Sequence, residues 1–485
     1  MFPTVTVTKK WHWGAALVLT MAAGALRFHN LDGQSIWNDE MFSIEVARQS
    51  FRDIQPLLVS HFHHPPLFFY LLHAVIVILG ESVWTLRLIP AIFGTLTIGA
   101  LYSIVASRWG WKSGAVSSLL CCFSPFHVAY SQEGRPYALA AFLALLSSHF
   151  FLKIIEGKKT GAYAGYLLST IALLYTHHWG LFLLAAQGIV LLFDFFTARR
   201  MGSIPLMAAG IAALCYIPGI PALLHQATPA GPGEWWWAES PTLNEMAGLS
   251  GAFSGTYFKM GSSLFTTPSS MQIAGGACVL VLFFLAIDQL LVIRDDATNR
   301  YLVLLTAGTL FIPFCLSFFR PEIFLWYRYT VIVYPLACAV TGALTSATRR
   351  GSPALACAMI LIVLGAAGIF SYSTWEKSNI KAVASYLSEL TMNNRMLLIR
   401  PPYMAQMLNY YYSGNAVEMD EEYLDTRLGE IVDTAGTIIY VSLDVPNPIR
   451  DYMDEHFDRS SEKVFPGTAH MGVIVDVYRQ KPDPE

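Results

Sequence analysis

Apolar residues run in long blocks from Leu17 to Ser373, and the pattern turns more polar after Trp375. A hydrocarbon core of about 30 Å takes about 20 residues of helix to cross. Eleven stretches approach that length, at roughly 12–28, 88–107, 113–131, 136–152, 161–176, 180–197, 203–224, 271–293, 301–319, 323–347 and 353–373. One further apolar stretch, Leu67 to Gly80, has only fourteen residues, which suits an in-plane or re-entrant helix. Beyond residue 373 the tail alternates helical patterns (Asn379–Leu390, Tyr403–Tyr412, Pro448–Phe457) with short apolar runs (Met396–Ile399, Thr437–Leu443, Gly472–Tyr478). The pattern predicts a polytopic α-helical membrane domain over 1–373 and a small C-terminal α/β domain over 374–485. No internal repeat or low-complexity tract interrupts either part.

Composition agrees with that division. Of 485 residues, 54% are hydrophobic and 13% charged, against roughly 25% charged in soluble domains, so a soluble cytosolic enzyme is excluded. A net charge of −3 without a basic stripe excludes nucleic-acid binding. The seven cysteines lie in apolar segments without metal or redox spacing, and no disulfide framework is expected. Ala22, Ala23 and Ala25 resemble a signal-peptidase site after Lys9 and Lys10, but the first helix is expected to be retained. The tail lacks GxGxxG and P-loop motifs, so no nucleotide site is indicated, and Asp420-Glu421-Glu422 reads as a solvated face.

Charge bias sets the orientation, because short cytoplasmic loops concentrate Lys and Arg. If Leu67–Gly80 does not cross, thirteen basic residues of the membrane domain fall on one side and eight on the other. The first side is then cytoplasmic, with the N-terminus. The loops 29–87 and 225–270 and the C-terminal domain face the periplasm or exterior of a plasma (inner) membrane.

That orientation gathers polar residues at outer helix ends. Asp39 and Glu40 follow Asn38, which is expected to cap a short in-plane helix and so to place both carboxylates where the helix dipole favours anions. One of them can act as a base, or the pair can be an acidic helix start. His61, His63 and His64 precede Leu67; three histidines in four residues can hold a metal or a phosphate, or decorate the interface. His177 and His178 end the fifth span, as site residues or as side chains snorkelling to the interface. Glu133 and Arg135 lie in a tight turn before Pro136, either an ion pair or a phosphate-level site. Arg328, beside Tyr329, is several residues into an apolar stretch, where an anion would explain it, and Arg320 has a weaker claim. Glu234-Trp235-Trp236-Trp237-Ala238-Glu239 reads as an interfacial anchor, with a sugar-stacking platform as the other reading.

A carboxylate base, cationic clamps and an in-plane helix, without a nucleotide site, suit a substrate arriving through the membrane as a lipid phosphate. In a glycosyl polyprenyl phosphate the leaving group needs electrostatic stabilisation more than a general acid. A transporter or flippase is the alternative; it would place charges at the midplane, often within inverted repeats. A non-catalytic lipid scaffold is a third reading.

The strings Trp37-Asn38-Asp39-Glu40, His64-Pro65-Pro66-Leu67, Ser124-Pro125-Phe126-His127, Tyr130-Ser131-Gln132-Glu133-Gly134-Arg135-Pro136-Tyr137, Tyr175-Thr176-His177 and Arg328-Tyr329 occur in that order. Together they resemble bacterial glycosyltransferase family 39, in the GT-C superfamily with protein O-mannosyltransferases and lipid A aminoarabinose transferases. The resemblance implies a polyprenyl-phosphate-linked sugar donor, inverting transfer to a hydroxyl of a protein, lipid or glycan acceptor, and an outward site. It makes Asp39 the general base and Glu40 its neighbour. His64, Glu133, Arg135 and Arg328 become the donor-phosphate group, with His63, His177 and Tyr329 as additional site residues. No cofactor is implied with certainty, and a divalent cation is left open. His64 stands where related aminoarabinose transferases carry a lysine.

Overall fold

The computed structural model describes residues 9–62, 64–157, 161–198, 203–227, 242–260, 263–292, 297–320, 323–346, 351–377, 379–390, 395–414, 417–418, 437–443, 448–466 and 472–480. The chain forms two compact units. The first comprises Met1–Leu31, Glu45–Phe258 and Thr266–Ser373, and the second Asp32–Ile44, Lys259–Phe265 and Thr374–Glu485.

The first unit is helical, and its helices follow the apolar blocks. Six are long and apolar enough to cross a membrane: Val83–Trp109, Tyr137–Ile155, Ser203–Leu224, Ser269–Leu291, Thr298–Ser317 and Gly351–Ser373. Shorter apolar helices include Trp13–Phe28, Ala162–Leu174, Gly180–Phe196 and Tyr334–Thr345. Leu67–Leu79 is a helix of 13 residues, or about 20 Å at 1.5 Å per residue, too short for a 30 Å core. Helix limits follow local chemistry. Ser82 and Thr85 close a capping box at the start of Val83–Trp109, and Gly110, at φ 85°, breaks the chain before Trp111–Cys122. Ser124 accepts from the amide of His127, with Pro125 opening the helix Pro125–Ser131. Phe283, Leu291, Phe319 and Phe370 expose large apolar surfaces, as a lipid-facing exterior requires.

One basic residue in this unit is structural. Arg27, in the last turn of Lys9–Phe28, is fully buried. It donates to the carbonyls of Ala23 (3.3 Å) and Cys121 (3.2 Å) and to His127 Nδ1 (2.9 Å). The Cys121 carbonyl lies at the C-terminus of Trp111–Cys122, and Arg27 itself stands in the last turn of Lys9–Phe28; each helix end is equivalent to about half a negative charge, so the two dipole ends offset the guanidinium. A side chain at Gly94 would strike Ser131 and crowd Arg27, so the glycine permits this approach. Gln132 completes the region, its amide donating to the carbonyls of Arg27 (3.2 Å) and His29 (3.0 Å).

Two sequence expectations need correction here. Arg328 does not lie within a helix: it precedes the 3-10 turn Tyr329–Ile332, and the helix starts only at Tyr334, with Pro335 in its first turn. Nor does Asn38 cap its helix. The carbonyl of Trp37 accepts the amides of Glu40 (2.9 Å) and Met41 (3.0 Å), so Trp37 is the cap and Asn38 begins the helix Asn38–Ala47. Asp39 and Glu40 still occupy its first turn. All seven cysteines are free thiols.

Strands β1 (Tyr257–Met260) and β2 (Ser263–Thr266) form a two-stranded sheet. The C-terminal part of the second unit holds β3 (Arg395–Arg400), β4 (Val417–Glu418), β5 (Thr437–Leu443), β6 (Phe457–Phe465) and β7 (Val473–Gln480). Their order is β4-β3-β5-β7-β6. β3 runs parallel to β4 and β5, while β7 is antiparallel to β5 and β6. Leu398, Ile438, Tyr440 and Tyr478 pack with Ile449 and Met453 of the helix Pro448–His456. The predicted strand Thr437–Leu443 and the helices match to within a residue or two. β6 was not expected, because its seven inner residues are all exposed and carry no apolar alternation.

Candidate functional site

The first unit brings four separate motifs to one place. The amide of Leu67 donates to the carbonyl of Tyr175 (2.9 Å), satisfying one orphan donor of the helix Leu67–Leu79 and tying His64-Pro65-Pro66 to Thr176-His177. The turn Ser131–Pro136, tightened by the amide of Arg135 on the carbonyl of Glu133 (2.6 Å), presents Arg135, whose Nη2 donates to His64 Nε2 (3.3 Å). Neutral His64 therefore carries its proton on Nδ1. His177 Nδ1 accepts from the amide of Trp179 (3.1 Å), which leaves the Nε2–H of its neutral form as donor. The fourth motif arrives through Tyr329, whose ring lies 5.1 Å from His177, 5.9 Å from Trp179 and 6.2 Å from Tyr137. Tyr130 helps hold that segment by donating to the carbonyl of Tyr327 (2.7 Å), and the guanidinium of Arg328 lies 6.0 Å from the Tyr327 ring.

The electrostatics are those of gathered positive charge. Glu133 and Arg135 are buried, and His64 and Arg328 are half-buried. Burial holds His64 well below the ordinary histidine value, and Arg135, His177, His178 and Arg328 push it further the same way. His177 is lowered by burial and then by His178, Arg135 and Arg328. Both histidines are therefore neutral at pH 7. An anion entering among Arg135, Arg328 and the two histidines would reverse that preference.

Asp39 and Glu40 lie in the second unit. Glu40 is fully buried, and Ser43 Oγ donates to the carbonyl of Asp39 (3.2 Å), one turn back in the helix. The segment before them is clasped by C-terminal residues: Gln34 donates to the carbonyl of Trp375 (3.0 Å), Ser35 Oγ accepts the amide of Lys381 (3.1 Å), and Tyr411 accepts the amide of Ile36 (2.9 Å).

His178 bonds Tyr216 (2.8 Å) yet also contributes charge to the His64 neighbourhood. His63, the Trp235–Trp237 run and the Asp420-Glu421-Glu422 run lie outside the described residues. Sequence reasoning did not single out Tyr137 and Trp179, which line the cluster. Their signal was adjacency to Arg135 and His177, hidden because aromatics at outer helix ends are common anchors. Among the described residues no group of three or more His, Cys, Asp or Glu side chains is arranged to hold a metal ion.

Residues 63–224, about a third of the chain, match the family model described as dolichyl-phosphate-mannose-protein mannosyltransferase. No curated protein matches the chain. Among solved structures, ArnT from Cupriavidus metallidurans bound to undecaprenyl phosphate is similar over 95% of this chain and 98% of its own, with a TM-score of 0.54 at 14% identity. The same ArnT in its apo state gives 0.42 at 12% identity over 96% and 98%. An oligosaccharyltransferase from Archaeoglobus fulgidus gives 0.49 at 12% identity over 88% and 67%. The likeness to the lipid-bound ArnT shows the fold: this chain shares that structure's arrangement of a helical domain, with six helices long and apolar enough to cross a membrane, and a small C-terminal sheet domain, the fold class the sequence pattern led one to expect.

Proposed function

We propose that the protein is a membrane glycosyltransferase that moves a sugar from a polyprenyl-phosphate-linked donor to an acceptor hydroxyl at the outer face of the membrane. The observation that carries this reading is the gathering of Arg135, Arg328, His64 and His177 beside Tyr137, Tyr329 and Trp179. Fixed cations within an aromatic wall suit a phosphate carrying a sugar. The family model and the lipid bound to ArnT support the same donor class.

In the proposed reaction the bond between the anomeric carbon and the phosphate oxygen breaks. The electron pair leaves on the polyprenyl phosphate, whose charge the arginines and histidines take up. The acceptor hydroxyl attacks from the opposite face, giving inversion, while Asp39 accepts its proton and returns it to solvent. Glu40, buried in the same turn, holds that turn, and Glu133 orients Arg135.

Mass spectrometry of lipids co-purifying with the detergent-extracted protein tests the reading. A glycosyl polyprenyl phosphate is expected on the wild type and depleted on Arg328→Ala, with affinity for undecaprenyl phosphate falling about 10- to 100-fold for a lost charge-assisted hydrogen bond. A soluble solute in place of the lipid would overturn it. Orientation has its own test: a lone cysteine at Glu81 should react with an impermeant thiol reagent from outside, whereas labelling only after permeabilisation would make Leu67–Leu79 a span.

A further inference from the structure

Four consecutive residues ahead of the Asp39-Glu40 turn are each engaged by the C-terminal part of the same compact unit. Gln34 meets Trp375, Ser35 meets Lys381 and Ile36 meets Tyr411. The fourth contact is of another kind: the ammonium of Lys377 sits 4.8 Å from the centroid of the Trp37 ring. Lys377 is only 4% exposed and Trp37 6%. The carbonyl of Trp37 in turn receives the amides of Glu40 and Met41, so the residue beneath the lysine is the one on which the carboxylate-bearing turn is built. Trp375 is itself fixed, its indole donating to the carbonyl of Leu264 (3.1 Å) and its ring 6.3 Å from Phe265.

A clasp that served only to hold backbone would not need a charge. Burying an ammonium costs desolvation that an apolar side chain of the same length avoids, and the tryptophan face returns part of it as a cation–π contact. The cation is spent at the cap of the helical turn that carries Asp39 and Glu40.

We infer that Lys377 is a positioning residue for the transfer reaction, acting through Trp37 to fix the turn that presents Asp39. The inference rests on the proposed transferase reading and deepens it: the C-terminal domain supplies the part that aims the base. It assigns Lys377 an effect on turnover without one on lipid-phosphate binding, which the proposed reaction leaves to Arg135, Arg328, His64 and His177.

The test uses the full-length protein in detergent. Hydrogen exchange of residues 34–44 is compared in wild type, Lys377→Met and Lys377→Arg, alongside turnover of the donor that co-purifies with the wild type and binding of undecaprenyl phosphate. Lys377→Met is expected to speed exchange at 38–41 and lower kcat at least tenfold, with undecaprenyl phosphate affinity and the donor KM within twofold of wild type. Lys377→Arg, whose guanidinium also stacks on indole, should restore kcat to within about threefold. Adding Trp37→Leu to Lys377→Met should cost little more than either change alone, as expected of one coupled pair. Unchanged exchange and kcat in Lys377→Met, additive losses in the double variant, or a fall in phosphate affinity as large as that in kcat would each overturn the inference. A wild type without turnover but with slow exchange at 38–41, accelerated in Lys377→Met, would instead remove the transferase reading and leave the clasp standing.

Discussion

In the C-terminal domain, Arg450 and Arg459 close on carboxylates; in the cluster around His64, Arg135 and Arg328 gather beside histidines. Arg450 reaches Asp476 at 2.8 Å and also pairs with Glu462, while Arg459 pairs with Asp454 and Glu462 and lies 3.7 Å from Asp476. Burial works against the charge on Arg450, but hydrogen bonding and attraction to Asp476 outweigh it and raise its pKa. Arg135 instead donates to His64, and His64 and His177 are driven below their ordinary values by burial and by positive neighbours. The first cluster has satisfied its charge internally and reads as fold. The second lowers its histidines below their ordinary values beside two arginines and a buried Glu133, the kind of perturbation that gathers at functional sites.

The comparison can be broken in three places. The largest effect is expected at the proposed base: Asp39→Asn should lower kcat about 10²- to 10⁴-fold, the usual worth of a general base, while undecaprenyl phosphate still binds. Retained turnover would take the base role from Asp39. Next comes Asp476→Asn, which should destabilise the C-terminal domain by about 3–5 kcal/mol, as expected when a buried ion pair loses one partner, with undecaprenyl phosphate affinity unchanged. Thermal unfolding and lipid titration on one preparation decide it, and a loss of affinity without a loss of stability would make that cluster functional too.

The smallest effect is a pH dependence. Unbound His64 and His177 are neutral at pH 7, and a bound phosphate favours their protonated forms, so the bound-state values lie above the unbound ones. Affinity for undecaprenyl phosphate should therefore rise as pH falls from 8 towards 7, a window in which the phosphate itself stays largely dianionic, its own second pKa being about 6. Titration of wild type against His64→Gln checks this, and equal slopes would remove His64 from the phosphate group.

Much of this was legible in the chain. Long apolar blocks gave the helices, since lipid leaves the backbone few choices, and the short Leu67–Leu79 run betrayed itself by length alone. His64, Arg135, His177 and Arg328, which meet in the first unit, stood out because polar groups beside apolar blocks are expensive. What stayed hidden depends on tertiary partners. Arg27 looks like one more charge at a helix end until the second helix terminus beside it is seen. β6 has no apolar period to detect, and Lys377 is an ordinary lysine in a polar stretch until Trp37, 340 positions earlier in the sequence, is found beneath it.

The hydrogen bond from the Leu67 amide to the Tyr175 carbonyl has a bearing on how the protein is made. The His64 end of the site leaves the ribosome roughly 110 residues before the partner that anchors it, an interval of about 5–20 s at ordinary elongation rates. Through that interval the short helix rests on its other contacts, His73 Nδ1 with the carbonyl of Ala47 (2.9 Å) and Tyr70 against Phe51 (4.5 Å), and its first turn is tied only when the end of Ala162–Leu174 has been threaded. Assembly of the cationic cluster is thus a late step in membrane insertion, and nascent chains halted before residue 175 should carry Leu67–Leu79 with its first turn untied.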